Sequence, residues 1–90
     1  MASRPSSANT IDGILRRSAA RHPDRTALVF DDRSFTYRQL DDAVSAAAAG
    51  LVARGLQRGD RVAAYGTNSD AYVIGFLACC RAGLVHVPIN

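Results

Sequence analysis

Few side chains of this 90-residue chain could do chemistry, and each has a plain structural use beside the chemical one. Gly66-Thr67-Asn68-Ser69 stands where a strand gives way to a helix, a place where main-chain N–H groups can hold phosphate. It lacks the glycine spacing and the Lys of a phosphate loop, so it reads as a βα loop closed by Ser69 as N-cap. Arg58-Gly59-Asp60 spells a cell-adhesion tripeptide, but directly before a strand it reads as a turn. His22 and His86 lie 64 residues apart with no third ligand, whereas a metal site takes three or four. His22 is assigned to a helix end, near the negative pole. His86 alternates with Val85 and Val87 and is assigned to a strand facing a partly polar layer. Cys79 and Cys80 point about 100° apart on a helix and suit small buried positions. A thiol nucleophile needs a base beside it, and none is indicated. No residue is therefore assigned as catalytic, cofactor-binding or metal-ligating.

The elements that carry these residues follow from periodicity. Residues 1–9 are polar and are expected to form a disordered tail. Thr10 caps a helix whose apolar positions Ile11, Ile14, Leu15 and Ala19 recur at helical spacing, and Pro23 ends it. Thr26–Phe30 is a β run, Asp31-Asp32-Arg33 a turn, and Ser34–Thr36 a second strand, giving a hairpin over 26–36. Thr36-Tyr37-Arg38-Gln39 has the spacing of a capping box and opens a helix over 37–54. Its stripe of Leu40, Ala43, Val44, Ala47, Ala48, Leu51 and Val52 is built mostly from Ala, so a neighbour packs close against it. Gly55 ends it in the left-handed conformation, with Leu56 folding back on Leu51. Arg61–Tyr65 is a strand. The helix over 70–82 is apolar almost all round and is expected to be buried on more than one side. Gly83 caps it, and Leu84–Pro88 is the next strand. Strand, helix and strand make a βαβ unit with parallel strands and a right-handed crossover. The fold class is α/β, and the βαβ unit reads as the opening of a larger sheet.

Composition narrows the function classes. Apolar residues make up 48% and charged residues 21%, an ordinary globular balance. All eleven basic residues are Arg and all eight acidic residues Asp, with sixteen Ala, a usage that points to a GC-rich bacterial genome. The net charge of +3 comes from Arg residues scattered among Asp with no aromatic ladder, so no nucleic-acid partner is assigned. The longest apolar run, Ala71–Cys80, is ten residues against the roughly 20 of a membrane span. The start has no apolar core after its charge, so no secretory signal is read there. Two adjacent cysteines form no disulfide framework and fit a reducing, cytoplasmic setting.

The ordered motifs carry a resemblance. Phe35-Thr36-Tyr37-Arg38-Gln39-Leu40 resembles the first core motif of the adenylate-forming enzymes, which include acyl-CoA synthetases, peptide-synthetase adenylation domains and luciferases. Cys80-Arg81-Ala82-Gly83-Leu84-Val85-His86-Val87-Pro88-Ile89-Asn90 resembles the second. Gly55–Val62, Asn68-Ser69, Pro23-Asp24 and Ala27-Leu28-Val29 match the same family in order, so the resemblance covers residues 10–90. It implies a partial N-terminal AMP-binding domain over 10–90. The ending Val87-Pro88-Ile89-Asn90 leans toward acyl-CoA synthetases, because peptide-synthetase domains more often carry Asp where Asn90 stands. The family joins a carboxylate to the α-phosphate of ATP with Mg²⁺, then passes the acyl group to a thiol, usually of coenzyme A. For the parent this implies carboxylic-acid substrates, ATP, Mg²⁺ and coenzyme A as cofactors, and a place in fatty-acid metabolism. The family's phosphate loop with its Lys and its C-terminal catalytic Lys lie beyond the second core motif, and this chain contains no Lys. No catalytic or ligand residue is carried over, no cofactor is expected on the chain itself, and the chain alone is expected to be inactive. Exposed apolar surface makes self-association of the isolated chain an expectation too. The rival readings are a stand-alone interaction or regulatory module, a gene remnant, and the opening of a peptide-synthetase adenylation domain. A reading frame running on from codon 90 into a Gly-rich loop with Lys would separate the truncated enzyme from the module.

Overall fold

A computed structural model describes residues 10–65 and 69–89. The expected tail at 1–9, the loop residues Gly66–Asn68 and the motif residue Asn90 lie outside them. Helix α1, Ile11–Arg21, starts where Thr10 Oγ1 accepts from the Gly13 N–H at 2.9 Å, and ends at His22, whose N–H donates to the Ser18 carbonyl. Its inward face differs from the expected stripe: Leu15 is buried, but Ile11 and Ile14 are half exposed. The helix is turned so that Asp12 meets the third helix, where an arginine binds it.

Strands β1, Thr26–Phe30, and β2, Arg33–Thr36, pair antiparallel with Val29 opposite Ser34. The register is irregular between Thr26 and Leu28. The turn is one residue shorter than expected, because Arg33 pairs with Phe30. Asp31 takes φ +56°, a left-handed conformation that Asp tolerates better than most residues.

Helix α2, Tyr37–Ala53, opens on a complete capping box. Thr36 Oγ1 accepts from the Gln39 N–H at 3.1 Å, and Gln39 Oε1 accepts from the Thr36 N–H at 2.9 Å. Leu40, Val44 and Ala48 are buried, whereas Val52 leaves the expected stripe and is exposed. Gly55 follows with φ +92°. Leu15, Leu40 and Val44 form the core, with Leu28, Phe35, Ile74 and Leu77 packed against it.

Strands β3, Arg61–Tyr65, and β4, Val85–Ile89, pair parallel in register Arg61↔Val85 through Tyr65↔Ile89. Helix α3, Asp70–Ala82, connects them and packs on α1, α2, β1 and both of its flanking strands. This is the expected burial on several sides. Strand β4 begins one residue later than the sequence pattern suggests. Gly83 caps α3 at φ +74°, and the Leu84 N–H donates back to the Cys79 carbonyl at 2.8 Å. That bond completes the helix end, so Leu84 belongs to the cap and is buried there.

Candidate functional site

Polar groups concentrate where three helices meet. Arg81, in the last turn of α3, has a side chain only 6% exposed. Its Nε donates to Asp12 Oδ1 of α1 at 2.6 Å, and its Nη2 to Asp41 Oδ1 of α2 at 2.6 Å. Its Nη1 reaches Ser45 Oγ at 2.8 Å and the Asp41 carbonyl at 3.1 Å. Arg16 also holds Asp12, at 2.8 Å. Burial alone would raise the Asp12 carboxyl, but hydrogen bonds from Arg16 and Arg81, with their charges, hold it below the usual carboxylate range. Burial would lower the Arg81 guanidinium, and its bonds to Asp12 and Asp41 outweigh that and raise it. Four of the five N–H donors of this guanidinium are spent on two carboxylates, a hydroxyl and a carbonyl within the chain. The network pins helices together. The sequence reading missed it; its one signal was a lone Arg near the end of an otherwise apolar helix.

The start of α3 is equally committed. Ser69 Oγ accepts from the Tyr72 N–H at 3.0 Å, Asp70 Oδ1 from the Ala71 N–H at 3.0 Å, and the Ser69 carbonyl from the Val73 N–H at 3.1 Å. Asp70 is also forked by Arg33, Nε to Oδ2 at 2.9 Å and Nη2 to Oδ1 at 3.0 Å. The N–H groups of Ala71, Tyr72 and Val73 are occupied, and the Asp70 carboxylate sits among them. A nucleotide phosphate would meet negative charge and spent donors, so these residues do not fit it.

Residues 58–60 form a turn, as read. Asp60 Oδ2 accepts from the Gln57 N–H at 2.7 Å, and Gly59, at φ +91°, donates to the Gly83 carbonyl at 2.8 Å. The thiols of Cys79 and Cys80 are free. Burial pushes both up, with Cys80 adding to the effect at Cys79 and the Asp12 charge adding at Cys80. They are held as thiols, the wrong form for a nucleophile. His22 caps α1 in solvent. His86 requires a correction: it faces no polar layer. Its ring stands edge-on between Tyr72 and Phe76, each centroid 5.2 Å away, and its buried Nε2 has no hydrogen-bond partner among the described residues. Among the described residues no group of three or more His, Cys or Asp could hold a metal ion, and no helix is long and apolar enough to cross a membrane.

A groove of about 360 Å³ runs between α2 and β3, with α3 as its floor. Leu51, Val62, Tyr72, Gly75 and Ala78 line it, with His86 beside them. It is apolar and contains no paired acid and base.

The family of AMP-binding enzymes matches residues 15–90. This chain belongs to that family. Among AMP-binding enzymes it is 43% identical, over 90% of its length, to the 3-[(3aS,4S,7aS)-7a-methyl-1,5-dioxo-octahydro-1H-inden-4-yl]propanoyl:CoA ligase of Mycobacterium tuberculosis. It is 38% identical to the mitochondrial medium-chain acyl-CoA ligase ACSF2 of Danio rerio. The chain spans 16% and 15% of those two proteins. Its fold superposes on the N-terminal subdomain of NpsA from Klebsiella oxytoca with a TM-score of 0.83 and 41% identity, covering 89% of this chain and 21% of that one. VinN gives a TM-score of 0.87 at 29% identity, covering 91% and 22%. The α/β framework is thus part of the N-terminal subdomain of adenylate-forming enzymes, a family that holds acyl-CoA ligases and peptide-synthetase adenylation domains. The motif residues 35–40 serve here as a strand end and a helix cap, and residues 80–89 as a helix end and a strand.

Proposed function

We propose that the chain is a framework segment of an ATP-dependent carboxylate–CoA ligase, and that the whole protein forms an acyl-adenylate and then an acyl-CoA. The observation that supports this most is the 43% identity to a CoA ligase across 90% of the chain. A chain that spans 16% of such a ligase, and whose Ser69 caps a helix while Arg81 pins three helices together, supplies scaffold rather than reacting groups. ATP, Mg²⁺ and coenzyme A belong to the whole protein in this reading. No step of the reaction is assigned to residues described here, and the chain alone is inactive. A reducing, cytoplasmic setting belongs to the same reading, and the unbridged cysteines support it.

A graft tests the reading. Residues 10–90 replace the aligned segment of the Mycobacterium tuberculosis CoA ligase, and the purified chimera is assayed for AMP release and thioester formation. The proposal expects both reactions to persist. A folded, soluble chimera that releases no AMP would overturn it, as would ATP-dependent pyrophosphate release by the 90-residue chain on its own.

A further inference from the structure

Helix α1 is turned so that its one acidic residue points into the molecule. Asp12 is held there by Arg81 at 2.6 Å and by Arg16 at 2.8 Å. The face left to solvent has a different chemistry. Ile11 is 50% and Ile14 52% exposed. Arg17 and Arg21, both exposed, follow at the three- and four-residue spacings that keep side chains on one side of a helix. Arg25, also exposed, comes four residues after Arg21. Asp24, just beyond the helix, already has Arg38 at 3.4 Å. The solvent face of α1 is thus two isoleucines continued by cations, with no carboxylate of its own helix among them.

A solvated helix face ordinarily carries polar side chains where Ile11 and Ile14 stand. A folded protein partner would need about 800 Å² on each side. Two half-exposed isoleucines on a helix of 11 residues, roughly 16 Å long, fall short of that. A nucleic-acid backbone would pair with the arginines and leave the isoleucines wet. An anionic bilayer surface uses both. Apolar side chains enter the boundary between headgroups and acyl chains, while guanidinium groups reach back to the lipid phosphates. A helix of this length lies on such a surface and does not cross it.

We propose that the solvent face of α1, formed by Ile11, Ile14, Arg17 and Arg21 with Arg25 beyond its end, docks on an anionic lipid bilayer. Charge complementarity together with the exposed isoleucine pair selects that occupant. The contact is weak and reversible, because two apolar side chains and three cations make no permanent anchor. The Arg81 network sustains it by keeping the Asp12 carboxylate off this face. The inference rests on neither family membership nor the CoA-ligase reading.

The test is flotation of the 90-residue chain with vesicles of phosphatidylcholine containing about one-third phosphatidylglycerol, against vesicles of phosphatidylcholine alone. Binding should need the anionic lipid and fall as salt is raised. Arg21→Gln should weaken it about fivefold. Ile11→Ser/Ile14→Ser should abolish it with an unchanged circular dichroism spectrum, since neither residue belongs to the core. The chain has no Trp, so Ile14→Trp provides a single emission that should shift to the blue on anionic vesicles only. Tyr65→Ser/Val85→Thr alters the exposed residues of the β3–β4 sheet and should bind as the parent does. Three results would overturn the proposal: no flotation with anionic vesicles, flotation that the isoleucine variant leaves intact, or flotation lost with Tyr65→Ser/Val85→Thr. Retention on soluble poly-glutamate without vesicle binding would make an acidic protein the partner and would equally overturn it.

Discussion

Replacing Arg81 by Met keeps the length and apolar stem of the side chain and removes its charge. The loss can be worked from the contacts. Breaking a buried ion pair from one side costs about 3–5 kcal/mol, because the partner charge is left without compensation. Here the abandoned carboxylates are not sealed: Asp12 is 17% and Asp41 30% exposed, so water relieves part of the cost. Asp12 also keeps Arg16. The expected loss is therefore about 2–3 kcal/mol, below the buried limit and above the roughly 0–1 kcal/mol of a surface pair. Urea denaturation at neutral pH measures it, read as a lower midpoint with an unchanged slope. The pH dependence supplies a second reading. The Asp12 carboxyl sits below its ordinary range in the folded chain, so the native state binds fewer protons than the unfolded one as the pH falls. The stabilisation is full above the unfolded carboxylate value of about 4 and fades as the pH drops through the lowered folded value. The parent chain should accordingly lose stability more steeply below about pH 4 than Arg81→Met does. A loss under about 0.5 kcal/mol, or acid profiles that run parallel, would show that the network behaves as surface charge and would refute the reasoning.

Other perturbations isolate single features. Thr36→Ala removes one bond of the capping box and should destabilise α2 by about 0.5–2 kcal/mol, seen as a lower thermal midpoint. Gly83→Ala meets two obstacles, φ +74° and Arg58 Cγ at 3.1 Å from the new methyl. The backbone share, about 1–2 kcal/mol, should survive in the double variant Gly83→Ala/Arg58→Ala, because Arg58 can swing away and the dihedral cannot relax. His86→Phe replaces an unpartnered buried nitrogen by carbon between two rings, and should be neutral or stabilising by up to about 1 kcal/mol in urea denaturation.

Local signals were legible from the residues, and long-range ones were not. The capping box at Thr36 and Gln39, the glycine cap at Gly83 and the βαβ order each depend on neighbours within a few positions. Their elements stand within a residue of where the pattern set them. The Arg81 network joins residues 69 and 40 positions apart, and no spacing rule reaches across such gaps. The turn of α1 follows from it: an apolar count favoured Ile11 and Ile14 as inward residues, but a buried guanidinium drew Asp12 to that side. His86 was misread because alternation in a strand tells which face a side chain shares, not what covers that face. Of a functional site, the residue types alone gave candidates, and the structure shows how the described ones are spent: Ser69 on a cap, Asp60 on a turn, the thiols in apolar surroundings.

The position of Arg81 in the chain has a consequence in time. A polypeptide leaves the ribosome from its N-terminus at about 5–20 residues per second, so Asp41 is made about 2–8 s before the arginine that binds it. Until then Asp41 lacks the guanidinium that binds it in the folded chain, and Asp12 has only Arg16 of its own helix. The hairpin and the capped helix can form as they emerge, whereas the mutual orientation of the three helices waits for the last turn of α3. Arg81 acts as a late latch, and a pause in synthesis just before its codon would hold the nascent chain in an unlatched state.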